Sequence, residues 1–169
     1  MTTPVSSSRM AIRPATSADL SLLITFIGEL AAHEGRPELA TIDEDTLAAL
    51  LFGERALGEA FIGEVDGQPA AYAIVAERFS SFRGTRLLYI EDMLVRDEFR
   101  MGGTGKRMLA FLARRARELG CQRMEWSALA NNDVALGFYD HLGAERETGV
   151  VHFELSGAEY KNLQEYGDE

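Results

Sequence analysis

The spacing of apolar residues divides the chain into strands and helices. Continuous or alternating apolar runs predict strands at 10–13, 60–65, 70–76, 87–95, 123–128 and 150–155. Apolar residues three and four positions apart predict helices at 20–34, 43–51, 104–119 and 132–142, with a polar C-terminal helix or tail after the last strand. Thr16 and Asp19 form a capping-box-like pair before the first helix, which supports that boundary.

The order of these elements predicts a mixed α/β fold. Strands alternate with helices only in the second half of the chain, which favours a central mixed β-sheet with helices on both faces. A chain of 169 residues can form one core that buries roughly 70% of its unfolded surface. We therefore expect a flexible, Ser/Thr-rich tail over residues 1–9 and a single domain over residues 10–169.

Composition excludes several classes of partner. The net charge of −10, from 17 basic and 27 acidic residues, argues against nucleic acid, because binding phosphates requires cations. No apolar run reaches the ~18 residues of a membrane span, and the first ten residues lack the apolar core of a signal peptide. The one cysteine, Cys121, cannot form an internal disulfide. These features favour a cytoplasmic protein that contacts neither membrane nor nucleic acid.

The charge is unevenly distributed along the chain. Residues 96–123 contain eight basic and three acidic side chains, a local charge of +5, so the remaining residues carry −15. This contrast indicates two surfaces with different binding preferences, although an arginine-rich solvated helix would produce the same count.

A glycine-rich turn at residues 100–106 separates a strand from an amphipathic helix. Glycines allow positive φ angles and close approach of a ligand, and a helix N-terminus offers free N–H groups to an anion. The spacing does not fit a P-loop, because Arg100 stands where the first glycine is needed. It does not fit a dinucleotide-binding turn either, because Met108 replaces the third glycine. A different phosphate-binding turn, Arg-x-x-Gly-x-Gly, remains.

This turn resembles the pyrophosphate-binding motif of the GNAT superfamily of acetyl-CoA-dependent N-acetyltransferases. Two more segments match in the same order: LLYIEDMLV at residues 87–95 is similar to the central strand, and Asn-x-x-Ala-x-x-x-Tyr at residues 132–139 to the second cofactor motif. The resemblance implies the GNAT acyltransferase fold, with acetyl-CoA as cosubstrate. It assigns to the cofactor the residues Met93, Leu94, Val95, Arg100, Met101, Gly102, Gly103, Thr104, Gly105, Lys106, Asn132 and Ala135.

Within the superfamily, the chain most resembles the spermidine/spermine (diamine) acetyltransferase branch. The resemblance rests on IRPATSADL at residues 12–20, on His33-Glu34 and on FYDHLGA at residues 138–144. In that branch, glutamates at the positions of Glu34 and Glu91 contact the cationic amine. The resemblance thus implies His33, Glu34 and Glu91 as substrate-binding residues, and a homodimer.

Two segments depart from that branch. An acid and a tryptophan often precede the central strand in the branch, whereas this chain has Ser81-Phe82-Arg83. The loss of an acid and the gain of a cation should weaken attraction for a multiply charged polyamine. Basic residues often follow the position of Tyr139 in the branch, whereas Asp140-His141-Leu142 stands here.

Acetyl transfer to an amine requires a base, a site for the developing oxyanion and a proton donor for the leaving thiolate. Glu91 interrupts an apolar strand, where a charge is costly unless used or paired, so it is the candidate base, directly or through water. Asp92 should face the other side of the strand as a structural carboxylate. The resemblance implies backbone N–H donors near Leu94 for the oxyanion, and Tyr139 as the general acid.

The sequence therefore predicts an enzyme that moves the acetyl group from acetyl-CoA to a primary amine of a small cationic molecule by direct attack. An amino-acid derivative or a protein amine as acceptor, and a non-catalytic coenzyme A-binding sensor, stay open as alternatives. We expect no metal, because His141 and His152 have no acidic or cysteine partners at ligand spacing.

Overall fold

The computed structural model describes residues 9–166, which separate into two compact units, one ending at Leu129 and one beginning at Ala130. The tail expected over residues 1–9 lies outside the described residues except for Arg9. The backbone N–H of Arg9 donates to Asp66 Oδ1 at 2.9 Å, and its carbonyl accepts from Asp66 N at 2.9 Å, so Arg9 extends the first strand pair. The single domain expected over residues 10–169 stays a prediction, and each unit is described by itself.

A five-stranded mixed sheet forms the centre of the first unit, as the sequence predicts. Its strands follow chain order and are β1 (Met10–Pro14), β2 (Glu59–Val65), β3 (Gln68–Ser80), β4 (Thr85–Val95) and β5 (Arg123–Trp126). Neighbours from β1 to β4 are antiparallel, whereas β5 runs parallel to β4. The parallel pair is possible because a helix connects these two strands, since a parallel crossover needs a long connection.

Helices cover both faces of this sheet, which confirms the predicted arrangement. The helices are α1 (Leu20–His33), α2 (Glu44–Phe52) and α3 (Thr104–Glu118). Both α1 and α2 pack on one face, where the buried side chains are Leu23, Phe26, Leu47, Leu51, Ala60, Ile62, Tyr72 and Leu94. On the opposite face, the ring of Phe111 in α3 meets Phe61 edge to face, with centroids 5.0 Å apart.

Local sequence signals explain where the elements of the first unit begin and turn. The Thr16 side chain and backbone contact the Asp19 carboxylate in a capping box, and Asp43 accepts from Thr46 N at 2.8 Å to begin α2. The turn between β2 and β3 has positive φ at both Asp66 and Gly67, which matches the twist of a tight hairpin. β3 extends to Ser80, beyond the predicted end at residue 76, because it pairs along the whole length of β4.

The second unit contains α4 (Asp133–His141) and α5 (Gly157–Glu165), which confirms the predicted helix and the polar C-terminal helix. The strand predicted at residues 150–155 is wrong, because this segment is exposed and has no paired strand among the described residues. Alternating apolar residues provide no strand unless a neighbouring backbone completes the ladder. Across residues 9–166, the helices fall short of the length and apolarity needed to cross a membrane.

The face under α1 and α2 gives a test of the core. Leu23 has no exposed surface, so Leu23→Ala should lower the free energy of unfolding by about 2–5 kcal/mol through lost burial and a cavity. Ser21 lies on the exposed side of the same helix, and Ser21→Ala should change stability by no more than about 0.5 kcal/mol. Urea unfolding of both variants measures the difference, and equal effects would contradict this packing.

Candidate active site

A β-bulge at Glu91 interrupts the pairing of β4 with β3. Ile90 lies opposite Val75 and Asp92 opposite Ile74, so Glu91 is an extra residue without an opposite partner. Pairing with β5 also stops at this point, because β5 contacts only Leu87–Ile90. The β5-facing edge of β4 from Glu91 to Val95 therefore has no paired strand in the part of the chain that the structure describes.

The bulge places Glu91 and Asp92 on the same face of the sheet. Asp92 pairs with Ile74, which belongs to the face under α1. Glu91 contacts Arg78, which lies four residues along β3 from Ile74 and so shares that face. The expectation that the two carboxylates face opposite sides is therefore wrong, because it assumed an unbroken alternation.

Glu91 forms an ion pair on this face. Its Oε1 lies 3.0 Å from Arg78 Nη2, and both side chains are about half exposed. The Arg78 guanidinium stacks over the ring of Tyr89, 3.4 Å from its centroid. The Tyr89 hydroxyl in turn lies 2.9 Å from Ser127 Oγ. Glu91, the predicted base, is therefore paired with the positive charge of Arg78, a partner that the sequence analysis did not identify.

Asp92 occupies a more buried position next to Tyr72. Burial raises the pKa of the Asp92 carboxyl, and the charges of Glu91 and Glu34 raise it further. The Tyr72 hydroxyl opposes this rise, although it makes no hydrogen bond of ordinary distance and angle among the described residues. Burial, followed by the negative charge of Asp92, raises the pKa of Tyr72 itself. Glu34 and Glu91 therefore both lie close enough to Asp92 to raise the pKa of its carboxyl.

An arginine that the sequence analysis did not assign holds α1 against the end of β4. Arg96 donates from Nε and Nη2 to the two carboxylate oxygens of Glu29, at 2.9 and 2.7 Å. Its Nη1 donates to the carbonyl of Pro69 at 2.9 Å, and its guanidinium lies 4.5 Å from the ring centroid of Phe26. A bidentate pair fixes direction as well as distance, so the end of α1 has a defined position.

A cleft of about 510 Å³ opens beside this clamp, within the first unit. It brings together three residues that the sequence analysis assigned separately, His33 to the amine and Leu94 and Arg100 to the cofactor. Glu34 follows His33 directly as the last residue of the helix end. The full lining is Glu29, Ala32, His33, Leu94, Arg96, Asp97, Glu98 and Arg100.

The glycine turn fits a phosphate group. Gly103 has φ of 80° and Met101 has φ of 64°, and both residues are exposed. Among the described residues, the backbone N–H groups of residues 101–106 make no hydrogen bond of ordinary distance and angle to another backbone group. A Cβ at Gly102 would meet nothing closer than 4.0 Å, so internal packing does not explain the missing side chain. An anion approaching these N–H groups does explain it.

The charged side chains of the turn have different roles. Arg100 Nε donates to the Val95 carbonyl at 2.9 Å, and its Nη1 lies 2.8 Å from Asp97, so this arginine stabilises the turn. Thr104 is buried at the start of α3, whereas Lys106 is exposed. Met93 lies opposite Ala73 and is partly buried on the face away from α1.

The second unit positions the remaining predicted residues on α4. The Asn132 side chain accepts from Ala135 N at 3.1 Å and caps the helix, as its position predicts. Ala135 and Tyr139 lie four residues apart on one side of this helix, and both are partly buried. Burial raises the pKa of Tyr139, so its hydroxyl keeps its proton at neutral pH.

Known proteins are similar to this chain in sequence and in fold. The Acetyltransferase (GNAT) family profile matches residues 25–144. Thialysine N-epsilon-acetyltransferase from Sus scrofa is 30% identical over 90% of this chain and 95% of its own length, and that from Bos taurus is 30% identical over 79% and 83%. An integron cassette protein from the V. cholerae mobile metagenome superposes with a TM-score of 0.75 at 22% identity, covering 92% of this chain and 97% of its own.

A structure of an aminoglycoside N-acetyltransferase in complex with CoA has the same fold, with a TM-score of 0.71 at 20% identity over 91% of this chain and 99% of its own. The mixed sheet, the glycine-rich turn and these matches define an acetyl-CoA-dependent N-acetyltransferase. The chain belongs to the GNAT family of acetyltransferases.

The buried carboxylate gives a stability test with a defined pH dependence. Because its pKa is raised on folding, Asp92 binds a proton more tightly in the folded chain. The free energy of unfolding should therefore fall as pH rises from below the ordinary pKa of aspartate through the folded-state pKa. Asp92→Asn should abolish this fall and be more stable than wild type at pH 7. The gain is about 1.4 kcal/mol for each pH unit between the two pKa values.

Urea unfolding across about pH 4 to 8 measures this dependence. Glu91→Gln is the matched control: it removes a charge that raises the pKa of Asp92, but burial is the larger cause, so the fall should become smaller and remain measurable. The same pH dependence in wild type and Asp92→Asn would contradict a buried, proton-binding carboxylate at this position.

Proposed function

We propose that this protein transfers the acetyl group of acetyl-CoA to a primary amine of a small cationic molecule. The observation that carries this proposal is the bulge of β4, where Glu91 and Asp92 share one face and the pairing with β5 ends. Glu34 lies close enough to Asp92 to raise the pKa of its carboxyl. Neighbouring carboxylates attract an ammonium group, because its positive charge reduces the repulsion between them. The relatives named above act on thialysine by their names, and thialysine is also a small amine with more than one charge.

Several residues of the first unit are suited to the cofactor. When bound, acetyl-CoA supplies an acetyl thioester, whose carbonyl carbon accepts the amine nitrogen. The N–H groups of Gly102, Gly103 and Thr104 to Lys106 would hold its phosphates, with Met101 at the exposed edge. The β5-facing edge of β4 from Met93 to Val95 would hold the neighbouring arm and supply an N–H near Leu94 that stabilises the oxyanion. Arg100 would contribute by holding this turn rather than by direct contact.

Glu91 is the proposed base. An ammonium group has a pKa of about 10.4, so a proton must leave before the nitrogen can attack. Glu91 is about half exposed, so it can accept this proton directly or through water. Glu34 would stabilise a second positive charge, and His33 would line the entrance through the cleft.

Tyr139 is the proposed general acid. When the new C–N bond forms and the C–S bond breaks, the departing thiolate requires a proton. The Tyr139 hydroxyl remains protonated at neutral pH because burial raises its pKa, so it can donate. Asn132 and Ala135 support this role by capping α4 and by leaving space one turn before the tyrosine. We also propose a homodimer in the cytoplasm, as the family resemblance implies.

An amine panel tests the proposal. Release of free thiol from acetyl-CoA is measured with a monoamine, a diamine, an amino acid that carries a side-chain amine, a polyamine and a lysine peptide. We expect release with small acceptors that carry at least two charges and little with the peptide. If no amine releases thiol while calorimetry detects binding of coenzyme A, the protein is a sensor and the proposal is wrong.

The role of Tyr139 gives a sharper test. Tyr139→Phe removes only the hydroxyl, so turnover should fall more than tenfold while calorimetry detects nearly unchanged binding of acetyl-CoA. Tyr160→Phe is the matched control, because Tyr160 lies half exposed on α5, and its turnover should equal that of wild type. Unchanged turnover of Tyr139→Phe would remove this residue from the mechanism.

A further inference from the structure

Arg78 is held in place beside the carboxylate of Glu91 and the ring of Tyr89. Its guanidinium stacks 3.4 Å from the centroid of Tyr89 and pairs with Glu91 at 3.0 Å. The bond between the Tyr89 hydroxyl and Ser127 holds the stacked ring in place. This arrangement lies on the α1 face of β3 and β4, beside the bulge where we place the amine. A polyamine offers no group for this cation to bind.

Most of the hydrogen-bonding capacity of Arg78 remains available. A guanidinium has five N–H donors, and within the described chain one bond, from Nη2 to Glu91, is present. The side chain is 50% exposed, so a ligand can reach the remaining donors. Stacking leaves these donors in the plane of the guanidinium, the direction from which a carboxylate accepts two parallel hydrogen bonds.

We propose that Arg78 binds the α-carboxylate of an acceptor that is an amino acid with a side-chain amine, and that this contact makes the enzyme prefer such an acceptor over a polyamine. This inference rests on the proposed function and identifies the residue that selects its acceptor. The α-carboxylate would accept hydrogen bonds from the free N–H groups of Arg78. The side-chain amine would extend from this head group toward Glu91, the proposed base, and the β5-facing edge of β4.

The same pair lowers the affinity for acceptors that lack the carboxylate. Such a molecule leaves Arg78 without its second acceptor and must approach Glu91 against a neighbouring positive charge. A site arranged to hydrogen-bond one group of a substrate discriminates against analogues without it, because its own polar groups are left unpaired. Arg78 is therefore a specificity-determining residue for the acceptor.

Three acceptors of the same length test this inference. The first is thialysine, S-(2-aminoethyl)-L-cysteine, which carries the carboxylate. The second is its carboxamide, in which a neutral amide replaces the carboxylate. The third, bis(2-aminoethyl) sulfide, has neither group. We expect kcat/KM of the wild-type enzyme to be at least about tenfold higher for the acid than for the amide, with the change mostly in KM, as loss of a charged hydrogen bond predicts.

Substitution of Arg78 should reverse this preference. Arg78→Gln should bring the ratio of kcat/KM for acid over amide close to one, and should raise kcat/KM for the sulfide diamine because Glu91 loses its internal cation. Arg78→Lys keeps the charge without the planar fork and should retain part of the ratio. The matched control is Arg55→Gln, which removes the same charge from an exposed position between α2 and β2 and should keep the wild-type ratio. Melting temperatures confirm that each variant folds.

The outcomes separate the two proposals. The inference is wrong if the wild-type enzyme acetylates all three molecules with equal kcat/KM. It is also wrong if Arg78→Gln lowers kcat/KM equally for the acid and the amide. In either case the proposed acetylation of small amines still holds. If none of the three is acetylated, and the wider amine panel also releases no thiol, the proposed function fails and the inference fails with it.

Discussion

One extra residue in β4 is the constraint on which the candidate site depends. Because Glu91 has no opposite partner in β3, the strand changes its alternation while both flanking segments remain paired. Two neighbouring carboxylates therefore share the face that an unbroken strand would divide between them. β5 pairs up to Ile90 and no further, so the same point marks the start of an unpaired backbone edge. A single local irregularity thus brings an acidic surface and free backbone groups together.

The uneven charge of the sequence has a more specific form in the structure. Four arginines of the basic segment at residues 96–123 bond to carboxylates, namely Arg96 to Glu29, Arg100 to Asp97, Arg115 to Glu59 and Arg123 to Glu125. These arginines hold elements together, which leaves Lys106 and its exposed neighbours to give the turn its positive charge. The acidic remainder includes Glu34, Glu91 and Asp92. In the proposed function, the basic turn faces the cofactor and the acidic residues face the amine. Fewer cations than the count suggests are available to a ligand, because four of these arginines are paired.

Sequence patterns predicted most of the fold and only part of the site. Periodicity located the helices and the five strands of the sheet, because burial of apolar faces determines both. The segment at 150–155 failed, since pairing depends on a neighbour that periodicity does not specify. The bulge could not be predicted because it depends on the register between two strands. Arg78 escaped notice because it lies past the predicted end of β3, and the contact with Glu91 spans 13 residues of sequence. The pair Glu91-Asp92 within an apolar strand was the one available signal of the irregularity.

Three residues at or near the proposed site, Asp92, Tyr72 and Met101, lower the stability of the folded chain. The carboxyl of Asp92 is partly buried and has a raised pKa, and the Tyr72 hydroxyl beside it lacks a hydrogen bond of ordinary geometry among the described residues. Met101 adopts a positive φ that glycine would adopt at lower cost. An apolar residue at 92, a phenylalanine at 72 and a glycine at 101 would each remove a penalty without changing the fold. Packing therefore does not account for these three choices. In the proposed function, Asp92 has a role that an apolar residue could not fill, because its carboxyl attracts the cationic acceptor.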